Sequence, residues 1–334
     1  MDAPRPLDEQ PIRVVFALLP QSLVLDWAGP AEALRIANQL LVASGRSPRF
    51  ELVFASPEPT SVSSVGVTLS GLEALPSEWD LPSWVVLVGM PGRTISVDNP
   101  PAQALLHWLR GLRLEEGRLE LVTICAGTLL AAHAGLVAGR CATTHHHHLD
   151  ELRDIDARCD VVSNRVFVLD PPLYSSAGVT TGIDLLLHRI AETCGEPLAA
   201  RVAQTMVVAM RRGPQDPELS PFLAYRNHLH PALHKVQDAV SERPQADWTV
   251  PRMADVAHTS PRHLTRLFVE HAGVAPLAYL RRLRLAAAQM ALQSGANVTR
   301  AAEISGFGSD TQLRRAWRQF GLAGSPSAAT PRPS

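Results

Sequence analysis

Between residues 211 and 221 the chain places three prolines and a glycine in eleven residues. Such a run removes backbone donors and breaks both helical and strand periodicity, so it reads as a linker. The hydrophobic pattern differs on its two sides. Before it, short β-branched runs bounded by Gly or Pro at 12–19, 50–55, 84–88, 119–124 and 166–169 read as strands. Helical stretches lie between and after them at 31–41, 102–112, 128–136 and 182–194, the last continuing to 210. Alternating strands and helices predict an α/β domain with a doubly wound, mostly parallel sheet covered on both faces. From about residue 234 no strand pattern recurs. Helix starts repeat there instead: Thr249 before Pro251, Ser260 before Pro261, and Ser309 spaced from Gln312 as in a capping box. The expected organisation is a disordered N-terminus (1–11), an α/β domain (12–210), a linker (211–233), an all-α domain (234–324) and a disordered tail (325–334).

Composition narrows the function classes. With 334 residues, 46% hydrophobic and 19% charged, the chain can bury two cores and is not of the disordered class. No apolar run approaches the ~18 residues of a membrane span, and the first ten residues lack a basic start with an apolar core, so a cytoplasmic protein without a membrane partner is expected. The four cysteines, Cys125, Cys141, Cys159 and Cys194, form no C-x-x-C pair, which disfavours a disulfide framework or a zinc ribbon. Through Lys235 there are 19 basic and 25 acidic residues, and beyond it 12 arginines against 7 acids, giving −6 and +5. A basic terminal domain on an acidic body is the footprint of a nucleic-acid-binding appendage, although a merely solvated basic face has the same sign.

Two segments of the basic domain share one plan. A helix at 250–257, a turn at His258-Thr259 and a helix at 260–271 are matched by a helix at 298–305, a turn at Gly306-Phe307-Gly308 and a helix at 309–320. Helix, tight turn and second helix let the second helix enter a major groove while the first braces it. Leu264, Leu267 and Phe268 share one face of the first projecting helix, leaving Arg262, Thr265 and Arg266 outward. Leu313, Trp317 and Phe320 do the same in the second, leaving Asp310, Thr311, Arg314 and Arg315. Arginine reads guanine, and short polar groups reach base edges. A helix at 276–294, with a stripe of Leu277, Leu280, Leu283, Ala287 and Met290, would separate the two units by ~28 Å, suiting grooves about 34 Å apart. Helical bundles with surface arginine have the same outline, and that alternative stands at this level.

In the α/β domain Cys125 directly follows a strand and precedes Ala126-Gly127-Thr128 and a helix. A cysteine on such an elbow projects clear of the sheet beside a helix N-terminus, which favours its thiolate; equally, free cysteine is often simply packed. The run His145-His146-His147-His148 lies inside a folded region rather than at a terminus.

The helical segment Ser260-Pro-Arg-His-Leu-Thr-Arg-Leu-Phe268, with Gly273, Pro276, Tyr279-Leu-Arg-Arg-Leu-Arg-Leu285, Ala301-Ala302, Gly306-Phe-Gly-Ser309 and Phe320-Gly321, resembles the AraC/XylS family of bacterial transcription regulators over about 85 residues. The resemblance implies base readers at Arg262, Thr265 and Arg266, with Asp310, Thr311, Gln312, Arg314 and Arg315 in the second unit. After Gly321 the chain departs from the family, with Leu322-Ala-Gly before Ser325-Pro326. Across 12–210, Leu25-Asp-Trp-Ala-Gly-Pro-Ala-Glu32 and Thr123-Ile-Cys-Ala-Gly-Thr128, followed by Ala142-Thr-Thr-His145, resemble the class I glutamine-amidotransferase-like superfamily, which includes PfpI-type proteases and isocyanide hydratases. By that resemblance Cys125 falls on the nucleophile and Asp26 beside it. Ala126, however, stands where the proteases carry a histidine and the hydratases a threonine, and 174–184 offers no His-Glu pair. Acyl transfer lacks its base, so no catalytic residue is assigned; Cys125, Asp26 and His145 are vestigial or ligand-pocket candidates, Asp26 favouring a cationic ligand group.

The two resemblances in this order, joined by Ser220-Pro-Phe-Leu, Arg226-Asn and Leu229-His-Pro231, match one subgroup of regulators. They imply a sequence-specific transcription activator that is not an enzyme, binds promoter DNA, RNA polymerase and a small nitrogenous effector, and works as a bacterial homodimer associated with the nucleoid when DNA-bound. No cofactor and no metal are expected, His145 and His148 matching histidines at the two ends of the stretch in relatives. The alternative is a cysteine-dependent hydratase using Cys125 and Asp26, with a DNA-binding appendage.

Overall fold

The computed structural model describes residues 10–208, 212–214, 225, 228, 230–293, 295–320, 322 and 325–327. Residues 1–9 of the expected disordered N-terminus, most of the expected linker with residues 220–224, 226, 227 and 229 of its motif, and residues 328–334 of the expected tail lie outside the described residues. The chain divides into two compact units, Met1–Glu218 and Leu219–Ser334.

The first unit is built on a sheet of β1 (Ile12–Ala17), β2 (Phe50–Ala55), β5 (Ser83–Leu87), β6 (Leu119–Ile124), β9 (Phe167–Asp170) and β10 (Leu173–Ser176), in the order β2-β1-β5-β6-β10-β9. All neighbours are parallel except β9 and β10. β5 and β6 are buried at every position, as strands covered on both faces must be. Helices α1 (Val24–Ala43), α5 (Thr181–Cys194) and α6 (Glu196–Thr205) pack together, and α3 (Gly127–His133) packs with α2 (Pro100–Gly111) and α4 (Leu149–Ile155). Two short pairs, β3 (Thr60–Val62) with β4 (Thr68–Ser70) and β7 (Cys141–Ala142) with β8 (Asp160–Val161), stand outside the sheet. These pairs and β10 were not legible as strands, being two to four residues long.

Two helix expectations are corrected. α1 begins at Val24 rather than 31, running through Pro30. An interior proline removes a hydrogen bond and costs roughly 3 kcal/mol, here offset by burial of Gly29, Pro30, Ala31, Ala33 and Leu34. The last helix, expected unbroken to 210, is interrupted at Gly195 and resumes with Pro197 in the first turn of α6.

The second unit holds α7 (Pro231–Glu242), α8 (Val250–Val256), α9 (Pro261–Ala272), α10 (Pro276–Gln293), α11 (Val298–Ser305) and α12 (Asp310–Gln319). α7, which takes in the last residues of the expected linker, was not foreseen. Thr249, Ser260, Asn297 and Ser309 each cap their helix by accepting the N–H three residues on. The expected stripe on α10 is corrected in part: Leu280 and Leu283 are buried as expected, but Leu277 and Met290 are exposed. Leu280 and Leu283 pack with Tyr279 into one core with Leu264 and Phe268, whereas Leu285, Ala288 and Leu292 pack into another with Leu313 and Trp317. A helix serving two cores carries two offset stripes, not one. No helix among the described residues is long and apolar enough to cross a membrane.

Candidate functional site

Asp26 follows β1, Gly89 follows β5, Cys125 follows β6 and Gly178 follows β10, so all four stand at the carboxyl ends of adjacent strands. The chain leaves β1 for β2 on one side and returns to β5 on the other, making this the topological switch point where open α/β sheets hold ligands. Cys125 sits on the expected elbow with φ of 57°, a left-handed conformation that costs a non-glycine residue energy and marks functional turns. Its amide donates to the Ser176 carbonyl at 3.0 Å and its own carbonyl accepts from the Thr144 hydroxyl at 2.9 Å.

Asp26 is fully buried. One carboxylate oxygen accepts from the Gly89 amide at 3.0 Å, the other from the Val179 amide at 2.9 Å, and the Cys125 thiol is hydrogen-bonded to the same group. Burial pushes its carboxyl above the usual carboxylate range, and the two amides and the thiol pull it part of the way back. With both oxygens engaged and no exposed surface, Asp26 ties Cys125 to the Gly178-Val179 loop.

That loop was missed at the sequence level. Val179 has φ of 54°, strained for a β-branched residue, and a Cβ on Gly178 would lie 2.3 Å from that of Cys125. A Cβ on Gly89 would lie 2.9 Å from Asp26 Oδ2 and from Cys125 Cβ. The two glycines wall the thiol, but their role depends on contacts between distant strands. His145, three residues from buried Ala142, is half-buried, and burial with the neighbouring histidines pushes it down to about 4, so it is neutral near pH 7.

The direction for Asp26 yields a pH prediction. Its folded pKa lies above the unfolded value, so ionisation costs stability: the cost is absent below the unfolded pKa and complete above the folded one. Asp26→Asn cannot ionise. The stability of wild type relative to this variant is expected to fall between about pH 4 and pH 7; urea unfolding at both values checks it, and a flat difference rules it out.

In the second unit Arg262, Thr265 and Arg266 are exposed on α9, and Thr311, Arg314 and Arg315 on α12, while Leu264, Leu267, Phe268, Leu313 and Trp317 are buried behind them. Thr265 turns its hydroxyl proton to the Pro261 carbonyl at 2.9 Å, and Arg266 meets His263 Nδ1 at 3.0 Å. Asp310 and Gln312 are tied internally. Asp310 accepts from the Thr299 hydroxyl at 3.1 Å, and the Gln312 side-chain carbonyl accepts from the Gly308 amide at 3.1 Å, one residue upstream of the usual capping-box donor. The first contact spans the turn between α11 and α12, and the second ties the turn itself to α12.

The helix-turn-helix domain family matches residues 253–327 and the DJ-1/PfpI family residues 50–192. The HTH-type transcriptional regulator GlxA of Rhizobium meliloti is 30% identical over 313 residues, covering 92% of each chain. The chain belongs to the HTH-type transcriptional regulators. CdhR of Pseudomonas aeruginosa, another such regulator, is 30% identical over 315 residues, 93% of this chain and 89% of that one. An isonitrile hydratase of Pseudomonas putida is 28% identical over 242 residues, 70% of this regulator and 97% of the enzyme. The regulator thus carries a DJ-1/PfpI-like α/β domain and an AraC-type helix-turn-helix domain, as its two motif sets imply.

Proposed function

We propose that this protein is a sequence-specific transcription activator, working as a homodimer that contacts RNA polymerase, whose DJ-1/PfpI-like domain senses a small metabolite at the Cys125 pocket. The paired arginine faces of α9 and α12, each backed by its own apolar core, carry this reading. Arg262, Arg266, Thr311, Arg314 and Arg315 present side chains for base edges, Thr265 a hydroxyl acceptor, and Asp310 and Gln312 fix the second elbow. α10, with 18 residues, spans about 27 Å, close to the separation of successive major grooves at about 34 Å. The nitrogenous nature of the effector rests on resemblance and gains nothing from Asp26. In a cell the regulator would be nucleoid-associated while bound to DNA.

Retention of sheared host DNA at near-physiological salt tests the reading. A motif with two contacts about one helical turn apart supports it; featureless, salt-sensitive retention overturns it.

Coupling to the effector has a physical route. Val179 donates to Asp26, and next to it Thr180 accepts from Arg212, a residue of the expected linker. Arg212 also pairs with buried Asp184 at 2.6 and 2.9 Å. An effector that moves the Val179 loop shifts this latch, and a tenfold change in DNA affinity needs a differential of only about 1.4 kcal/mol. Arg212→Ala is expected to retain DNA binding and lose effector dependence at the recovered promoter, measured by titrating effector against bound DNA; undiminished dependence removes the latch.

A second reading, a cysteine-dependent hydratase, is favoured by the thiol–carboxyl pair and the similarity to isonitrile hydratase. It requires a turnover lost in both Cys125→Ser and Asp26→Asn. The sensor reading requires only altered effector affinity.

A further inference from the structure

The sequence assigns no metal to the histidine run, but the geometry points to one. We propose that His145, His146 and His147 bind a divalent late-transition-metal ion of the zinc or nickel class. Consecutive residues of a 3-10 turn point about 120° apart, so three neighbouring rings do not ordinarily converge. Here His145 precedes the turn His146–His148 as its cap, and its ring folds back over the next two. Ring centroids of 145 and 146 and of 146 and 147 are 4.2 Å apart, those of 145 and 147 are 5.0 Å apart, and one ligand atom from each lies within 4.8 Å of the others. Nitrogens sharing a tetrahedral zinc at 2.0–2.1 Å stand about 3.4 Å apart, a closure within reach of ring rotation.

Three further features fit an ion. The far end of the turn is anchored, since Glu151 holds His148 Nδ1 at 2.6 Å and accepts from the Ile95 amide at 2.8 Å with its other oxygen. The near end is fixed through Thr144 to the Cys125 carbonyl. The Nδ1 of His145 makes a long 3.3 Å contact with the His147 amide that an ion could displace. His145 and His146 are half-buried and His147 exposed, so coordination positions stay open to water or a small ligand. Three imidazoles select zinc, copper or nickel over magnesium or calcium.

The test titrates Zn2+, and Co2+ as a coloured probe, into the full-length reduced protein and into a His146→Gln/His147→Gln variant. One ion per chain in the wild type, with affinity reduced at least about tenfold in the variant and Co2+ bands lacking thiolate charge transfer, supports the site. Melting curves and far-UV circular dichroism establish that the variant is folded. Equal binding by both proteins places the ion elsewhere, for instance at His228, His230, His234 and His271, whose rings approach within 4.5–6.2 Å, and overturns the proposal. So does absence of binding in the wild type.

Discussion

Replacing Arg262 and Arg315 together by alanine is expected to lower affinity for the cognate DNA site by about 2–6 kcal/mol, roughly 30-fold to more than 10,000-fold. Each arginine is exposed on a helix whose opposite face is buried, so truncation removes no core packing and the effect reports on DNA. A bidentate arginine–guanine contact discriminates by about 1–3 kcal/mol. The two residues belong to units with separate cores, so the losses should add. Fluorescence anisotropy at fixed salt, on the cognate site and a scrambled one, separates the roles. Base readers lose affinity on the cognate site and relax preference there. Phosphate contacts would weaken both sequences alike and reduce the salt slope. Unchanged affinity and preference would remove α9 and α12 from the interface.

The helical unit was the more legible because its signals are local. Thr249, Ser260 and Ser309 announce helix starts within three residues, and each cap bond forms as the spacing requires. Exposure was legible for Arg262 and Arg315, and the capping-box spacing marked Gln312 as turned to the helix start, but its donor is Gly308 rather than Ser309, and Asp310 looks like an outward polar group until the turn brings Thr299 to it. The elbow at Cys125 could be read because strand, cysteine and helix are contiguous. Gly89, Gly178 and Val179 escaped because what matters is their approach to Cys125 and Asp26 across the sheet. Charge in the core was the least visible. Glu120 lies in Leu-Glu-Leu-Val-Thr-Ile, where one acid suggests a solvent-facing position, yet every residue of that strand is buried.

Glu120→Ala should therefore destabilise the first unit by about 3–5 kcal/mol, the range for uncovering one member of a buried ion pair. Glu120 accepts from the Arg189 guanidinium, from the Tyr174 hydroxyl at 3.2 Å and from the Gly117 amide at 3.0 Å. Arg189 lies with its guanidinium carbon 3.9 Å from the Tyr174 ring centroid and 4.8 Å from that of Trp84, in the wall of a cleft of about 770 Å³. Removing the carboxylate strips three donors of their acceptor at once; Gly117 lies on an exposed turn where water replaces it, but Tyr174 and Arg189 are buried, and each buried unsatisfied donor costs about 1–3 kcal/mol. Glu192, half-exposed and 2.7 Å from Arg189, neutralises part of the remaining charge, which places the effect towards the lower end. For a domain of this size the loss corresponds to a fall of about 6–20 °C in the unit's melting temperature. Adding Arg189→Met to Glu120→Ala should restore part of it, because no charge is then left buried without its partner. A single variant within about 1 kcal/mol of wild type would show that Glu192 and cleft water already carry the arginine. A double variant less stable than the single would show that Arg189 contributes mainly by stacking on Tyr174 and Trp84.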